Sequence, residues 1–191
     1  MNISAVVLAG GKSTRMKGNN KAYLTYKNEK FIDIILKTLE NEFSNIYISV
    51  DNKEKYKNLG YELIEDLFSE IGPISGIYSS LKYVESDFIL VFPCDMPLIN
   101  VEVVKCLLRN VQNEDLCIVL KSSNKIYPLC GVYSKKALPI IKEMIDIKDF
   151  KLRNLVEKLH GRIILLNEEN LNEELLINVN DPNEYDKLNK N

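Results

Sequence analysis

Short, nearly continuous apolar runs, separated by longer stretches of helical period, leave few architectures open to this chain. The runs are residues 3–9, 46–50, 88–92, 117–120 and 163–166, and each reads as a strand covered on both faces, as in a parallel sheet. Between them Phe31, Ile34, Ile35, Thr38 and Leu39 recur at helical spacing, as do Val101, Val104 and Leu108, and later Ala137, Leu138, Ile141, Met144 and Ile145. The alternation predicts the α/β class: a single Rossmann-like domain over residues 1–191, with a mostly parallel central sheet and helices on both faces. Asn100 and Ser134 stand where N-caps belong, and Asp181, Pro182 and Glu184 supply a cap, a first-turn proline and a capping-box carboxylate for a last short helix. Residues 128–133 predict a further strand in which Gly131 permits close approach, and the polar residues 167–174 read as a solvated loop.

Charge narrows the function classes. Lys and Arg number 25 against 27 Asp and Glu, so no general basic field exists to hold nucleic acid or an anionic membrane, and any phosphate binding must be local. The opening MNISAVVLAGG is too short in its apolar part for a membrane span and lacks the basic lead of a secretion signal, so a cytoplasmic location is expected. Cys94, Cys106, Cys117 and Cys130 form no CxxC pair, which predicts reduced, buried thiols rather than a zinc site or a disulfide framework. His160 is the sole histidine and sits before Gly161 in what reads as a helix C-terminus, which speaks against Cys–His catalysis at Cys94.

Two motifs carry chemistry. The first apolar run leads straight into Gly10, Gly11, Lys12, Ser13, Thr14, Arg15, Met16, Lys17, Gly18, Asn19, Asn20 and Lys21. A glycine loop at a strand's carboxyl end lets backbone N–H groups approach phosphate oxygens, and Arg15 and Lys21 add formal charge beside them. A Walker A loop would need glycine where Val6 stands, and a dinucleotide fingerprint needs GxGxxG; neither is present. The second motif is Asp95, held between Pro93 and Pro97 just past the third apolar run, where a carboxylate would coordinate Mg²⁺ shared with a triphosphate. Taken alone, a lone Asp at such a place is more commonly a turn or cap residue, and its pairing with the glycine loop is what promotes it.

LAGGKSTRM with Lys21, GPISG at residues 72–76, PCDMP at residues 93–97 and NVNDP at residues 178–182 together make the chain resemble the molybdenum cofactor guanylyltransferases, within the nucleotidyltransferase superfamily. The resemblance spans nearly the whole chain and implies the nucleotide-diphospho-sugar transferase type of fold. It divides the chain into a nucleotide-binding half over roughly residues 1–100 and an acceptor-binding half after it. It implies transfer of GMP from GTP to molybdenum-molybdopterin with release of pyrophosphate. On that resemblance Leu8, Ala9, Gly10, Lys21 and Asp66 bind the nucleotide, and Asp95 binds both GTP and Mg²⁺. The nearest alternatives are a molybdopterin cytidylyltransferase or a small sugar or polyol nucleotidyltransferase; an alternative of another class is an inactive GTP-binding regulatory module. Transient contacts with cofactor-maturation proteins and molybdoenzymes are implied, with the chain itself a monomer.

The chain departs from the family pattern in places. Lys17 stands where a glycine is usual after the RM pair, and Asn20 where an aspartate usually precedes the loop lysine. Ser49 falls where the family commonly has asparagine and takes the nucleotide-binding contact that the resemblance implies there, with Asp51 and Asn52 competing for it. The chemistry itself asks for charge neutralisation rather than a base, because a phosphate monoester is already anionic near neutral pH. Backbone amides of Gly10, Gly11 and Ser13, with Arg15, Lys21 and the ion on Asp95, are the expected sources, and Arg15, Lys21 and Asp95 the expected catalytic set. Guanine presents donors at N1 and its amino group, so Asp66 and carbonyls near Gly72 and Gly76 are candidate acceptors, a solvated strand-end acid and a close-packed helix start being the plain alternatives. Asn178 and Asn180 flank Val179 and face one side if extended, where the resemblance places the pterin-bearing acceptor; an Asn-rich turn before a capped helix would account for them equally.

Overall fold

A computed structural model describes residues 1–10 and 20–190. In chain order these give β1 (Ile3–Leu8), the short pair β2 (Thr25–Tyr26) and β3 (Glu29–Lys30), α1 (Phe31–Glu40), β4 (Ile46–Val50) and β5 (Glu62–Glu65). They continue through α2 (Pro73–Tyr83), β6 (Phe88–Pro93), α3 (Val101–Asn110), β7 (Cys117–Lys121), β8 (Ile126–Ser134), α4 (Leu138–Asp146), α5 (Leu152–Lys158), β9 (Arg162–Leu165) and α6 (Pro182–Leu188). The main sheet has the order β5-β4-β1-β6-β8-β7-β9. Only β8 runs against its neighbours, β6 and β7; the other adjacent pairs are parallel.

Both faces of the sheet are covered, which is why its strands read as unbroken apolar runs. Along β1, Ala5 and Val7 join one core with Ile32 and Ile35 of α1 and Val103 and Leu107 of α3, while Val6 and Leu8 join the opposite core with α2, α4 and α5. The strand order reverses at β1: the chain goes first to β4 and β5 on one side, then returns to β6 on the other. In open α/β sheets that reversal leaves a crevice beyond the carboxyl ends of the strands. Here it places the ends of β1, β4 and β6 at one rim, with residues 8–10, 49–51 and 93–95 together.

The predicted strands 3–9, 46–50, 88–92, 117–120 and 163–166 lie within a residue of the observed ones, and 128–133 falls inside the longer β8; β5 and the β2–β3 pair carry no strong periodicity and were not anticipated, while of α5 only the end near His160 was. Asn100 caps α3 as expected, its Oδ1 accepting from the Glu102 and Val103 amides. Ser134 caps not α4 itself but the 3-10 turn Lys135–Ala137 that leads into it, accepting from the Lys136 N–H. Asp181 caps α6, while Glu184 reaches back to the Asn180 N–H, one residue earlier than a standard capping box. The chain does leave α5 at His160, but His160 takes the left-handed conformation, with φ of 48°, and Gly161 is needed for packing: a Cβ there would meet Cys117 Sγ. A Cβ on Gly131 would likewise collide with the Ile118 carbonyl, next to the register shift between Val119 and Leu120. All four cysteines are buried and unpaired.

Candidate active site

β1 ends in Leu8, and Ala9 and Gly10 continue from it under two hydrogen bonds to the same acceptor: their N–H groups both donate to the Ser49 carbonyl, at 2.9 and 3.2 Å. Gly10, expected to offer its amide to phosphate, therefore spends it inside the fold. Its contribution is steric, since a Cβ at Gly10 would stand 2.8 Å from the Asp51 amide nitrogen. Gly11, Ser13 and Arg15, with Lys12 and Lys17, lie outside the described residues.

Lys21 opens the 3-10 turn Lys21–Tyr23, which Asn20 caps by accepting from the Ala22 N–H. From there Lys21 Nζ donates to Asp95 Oδ2 and to Asn180 Oδ1, both at 2.9 Å. Asp95 follows β6, where Cys94 N–H still pairs with the Leu8 carbonyl, and its own carbonyl accepts from the Val179 N–H at 2.9 Å. That last bond brings in the C-terminal segment. Val179 is buried, and Asn178 and Asn180, flanking it, both line the cavity, as two-residue spacing in an extended piece requires. Three sequence-distant motifs thus converge around a cavity of about 270 Å³ that also touches Leu8, Ala9 and Gly10.

Asp95 Oδ1 is buried and finds no hydrogen-bond partner among the described residues, while Lys21 occupies the other oxygen. An orphaned carboxylate oxygen facing a polar cavity suits a hard cation such as Mg²⁺, which needs one or two protein carboxylates and takes its remaining ligands from phosphate and water. Among the described residues no cluster of three or more His, Cys, Asp or Glu side chains is present, so a cage built wholly from protein is not on offer. Cys94 is buried, and burial together with the adjacent Asp95 pushes its thiol far above the usual range. This agrees with Cys94 being a packing residue rather than a nucleophile.

A second cavity, of about 600 Å³, adjoins the first over Leu8, Gly10 and Pro73. Ser49, Asp51 and Asp66 line one wall, Gly72 and Gly76 the other. Asn52, the third candidate for the Ser49 contact, is instead spent capping the turn at Lys53–Lys55. Asp66, just past β5, accepts a 2.9 Å bond from Ser49 Oγ. Burial, then the carboxylates of Asp51 and Glu65, push its carboxyl up to about 6, against the opposing pull of the Ser49 bond. Gly72 takes a φ of +79° ahead of the first turn of α2, a conformation that suits glycine, and Pro73 occupies the first helical turn. A Cβ on Gly76 would fall 2.7 Å from Ser49 Oγ, so the helix can approach the wall only as glycine.

One participant went unnoticed in the sequence. Tyr56, almost wholly buried, donates from its hydroxyl to the Ala9 carbonyl at 2.6 Å and accepts from Asn20 Nδ2 at 2.8 Å. It thereby ties residue 9 to residue 20, the two shoulders of the glycine-rich stretch. A tyrosine within a lysine-rich turn gives no signal of this.

Comparison with known proteins supplies the context. Residues 5–163 match the family described as the MobA-like NTP transferase domain. A Clostridium perfringens protein, described as a probable molybdenum cofactor guanylyltransferase, is 42% identical over 144 residues, covering 75% of this chain and 72% of its own. A Flavobacterium johnsoniae protein of the same description is 36% identical over 190 residues, 99% of this chain and 97% of its own. Among solved structures, an Aquifex aeolicus protein superposes with a TM-score of 0.80 at 32% identity, covering 94% of this chain and 93% of its own. The Archaeoglobus fulgidus molybdopterin-guanine dinucleotide biosynthesis protein A shares the fold with a TM-score of 0.83 at 20% identity, covering 98% of this chain and 97% of its own.

Proposed function

The chain belongs to the MobA-like NTP transferase family, and from that premise we propose that it is a molybdenum cofactor guanylyltransferase, moving GMP from GTP onto molybdenum-molybdopterin. The observation that best supports this reading is the meeting of Lys21, Asp95 and Asn180 beside the end of β1, next to a separate cavity walled by acceptors. The first arrangement suits phosphate charge; the second suits a base edge rich in donors.

In the reaction, a phosphate monoester oxygen of the acceptor forms a bond to the α-phosphorus of GTP. The bond from that phosphorus to the bridging oxygen breaks, and pyrophosphate leaves with the electron pair. The attacking group is already an anion, so no side chain need remove a proton. What the protein must do is hold like-charged groups in line. In this reading Lys21 faces the triphosphate, Asn178 and Asn180 hold the acceptor, and Asp66 accepts from guanine. Arg15 and the amides of Gly11 and Ser13 keep their phosphate role on sequence grounds. Asp95 would hold Mg²⁺ through its free oxygen, and the ion, when bound, supplies charge neutralisation on the triphosphate.

We also assign the protein to the cytoplasm as a monomer that meets maturation proteins and molybdoenzymes transiently. The buried, unpaired thiols are in keeping with a reducing compartment. The test of the activity is pyrophosphate release with GTP, CTP, ATP and UTP, with and without molybdopterin and Mg²⁺. Release confined to GTP with acceptor and metal is the expected result; CTP preference, or GTP binding with no turnover on the authentic acceptor, would overturn it.

A further inference from the structure

The second cavity has an unusual lining. Among the described residues that face it, Asp51, Asp66 and Glu70 are acidic and none is a cation. Asp51 and Asp66 there offer acceptors to a ligand edge that presents donors. A carboxylate meets two adjacent N–H groups best when both of its oxygens are presented in one plane, which requires that its χ angles be held. Asp66 sits past the end of a strand, where nothing in its own backbone supplies that hold.

The hold comes from the neighbouring strand. Ser49 lies in β4, opposite Ile64 of β5, and is 2% exposed. Its carbonyl already anchors Ala9 and Gly10, and its hydroxyl points at Asp66 Oδ1 at 2.9 Å. Gly76 closes the space behind: a Cβ there would stand 2.7 Å from Ser49 Oγ and 3.5 Å from Asp66 Oδ1. The hydroxyl is thus confined between strand and helix with the carboxylate in front of it. We propose that Ser49 is a positioning residue for base recognition, acting through Asp66 rather than touching the nucleotide, with Gly76 as the wall that confines the pair. This rests on the reading of the second cavity as the guanine pocket.

The groups that bear on Asp66 electrostatically are Asp51 past β4 and Glu65, its neighbour in the chain; α2 presents Ser75, Gly76 and Ser79 on that side and no charge, and Glu70 also lines the cavity. Asp51 is itself paired with Lys55. Against two acids and burial, the Ser49 hydroxyl bond favours the ionised carboxylate.

The experiment is a carboxyl ¹³C NMR titration of Asp66 in the nucleotide-free protein, wild type against Ser49→Ala, joined to GTP and ATP dissociation constants at pH 5.5, 7 and 8. Ser49→Ala should raise the Asp66 midpoint by about half a pH unit or more. It should weaken GTP several-fold at pH 7, recover part of that loss at pH 8, and leave ATP binding nearly unchanged. An Asp66 midpoint and a GTP-to-ATP ratio equal to those of the wild type would overturn the role of Ser49. A shifted midpoint in a protein whose wild type already fails to prefer GTP would overturn the guanine pocket instead.

Discussion

Lys21 and Asp95, 74 positions apart in the chain, meet as an ion pair of 2.9 Å whose side chains are only 20% and 15% exposed. A pair so far withdrawn from water is not a surface ornament: removing one member strands the other in a polar but poorly hydrated cavity. Because Lys21 also holds Asn180, the pair joins the start of the chain to its end across the site.

That geometry predicts strong non-additivity. Lys21→Ala and Asp95→Ala should each lower turnover by about 10²-fold or more, and the double variant should lose little beyond the worse single one. In stability, each single change should cost about 1–3 kcal/mol, with the double variant costing less than the sum. Denaturant unfolding of all four proteins, with steady-state rates, closes the cycle. Additive losses in both readouts would mean that the pair is a coincidence of placement.

Metal binding gives a separate handle on Asp95. Asp95→Asn keeps the shape and removes the charge, so Mn²⁺ binding in the presence of GTP, followed by electron paramagnetic resonance, should weaken at least tenfold. Unchanged Mn²⁺ affinity would take Asp95 out of the ligand set, whatever the effect on rate.

Much of this was readable beforehand, and the reason lies in chain-local physics. Residues 3–9 and 88–92 announce covered strands by being apolar throughout, and Gly10 and Asp95 announce strand ends by breaking that run, so the rim of the sheet could be drawn before any coordinates. β5 escaped notice because ELIE is short and half-charged, an edge strand with one wet side. Tyr56 escaped because its role depends on two partners, Ala9 and Asn20, that only the fold brings to it. The spent amide of Gly10 escaped for the same reason: hydrogen-bond competition between β1 and β4 is a property of strand pairing, not of a glycine pair. Asp66 could be nominated by the family resemblance, but the Ser49 hydroxyl bond to it could not.

Asp66 sets function and stability in opposition. Its carboxyl titrates near 6 in the native protein against an ordinary value of 3.8, so the folded state binds that proton more tightly than the unfolded chain does. By linkage this group's contribution favours folding most at low pH, declines as pH rises from about 4 to about 6, and stays unfavourable above. Asp66→Asn removes that dependence. The variant should be more stable than wild type at pH 7 by about 1 kcal/mol after allowance for partial solvent access, and the gain should vanish near pH 4. GTP discrimination should fall at least tenfold at the same time. Thermal melts at both pH values, paired with GTP and ATP dissociation constants, test the two halves independently.

Tyr56 makes the last prediction, because its hydroxyl links residues 9 and 20. Tyr56→Phe leaves the ring, its stacking on Tyr23 and its packing in the core intact, and removes one oxygen. The Ala9 carbonyl and the Asn20 amide then each lose a partner in a largely buried place, which should cost about 1–3 kcal/mol. If the bridge does no more than stabilise the fold, activity at a temperature where the variant is fully folded should equal that of the wild type. If it sets the spacing of the two shoulders that flank the glycine-rich stretch, KM for GTP should rise several-fold while kcat falls less, since the misplacement is felt in ground state and transition state alike. Asn20→Asp offers the matching control. A carboxylate there accepts from the tyrosine hydroxyl instead of donating to it, turning that proton away from Ala9, and it should reproduce the KM effect with a smaller loss of stability. Steady-state kinetics beside denaturant unfolding separate the two outcomes, and equal KM values in all three proteins would leave Tyr56 a core residue and nothing more.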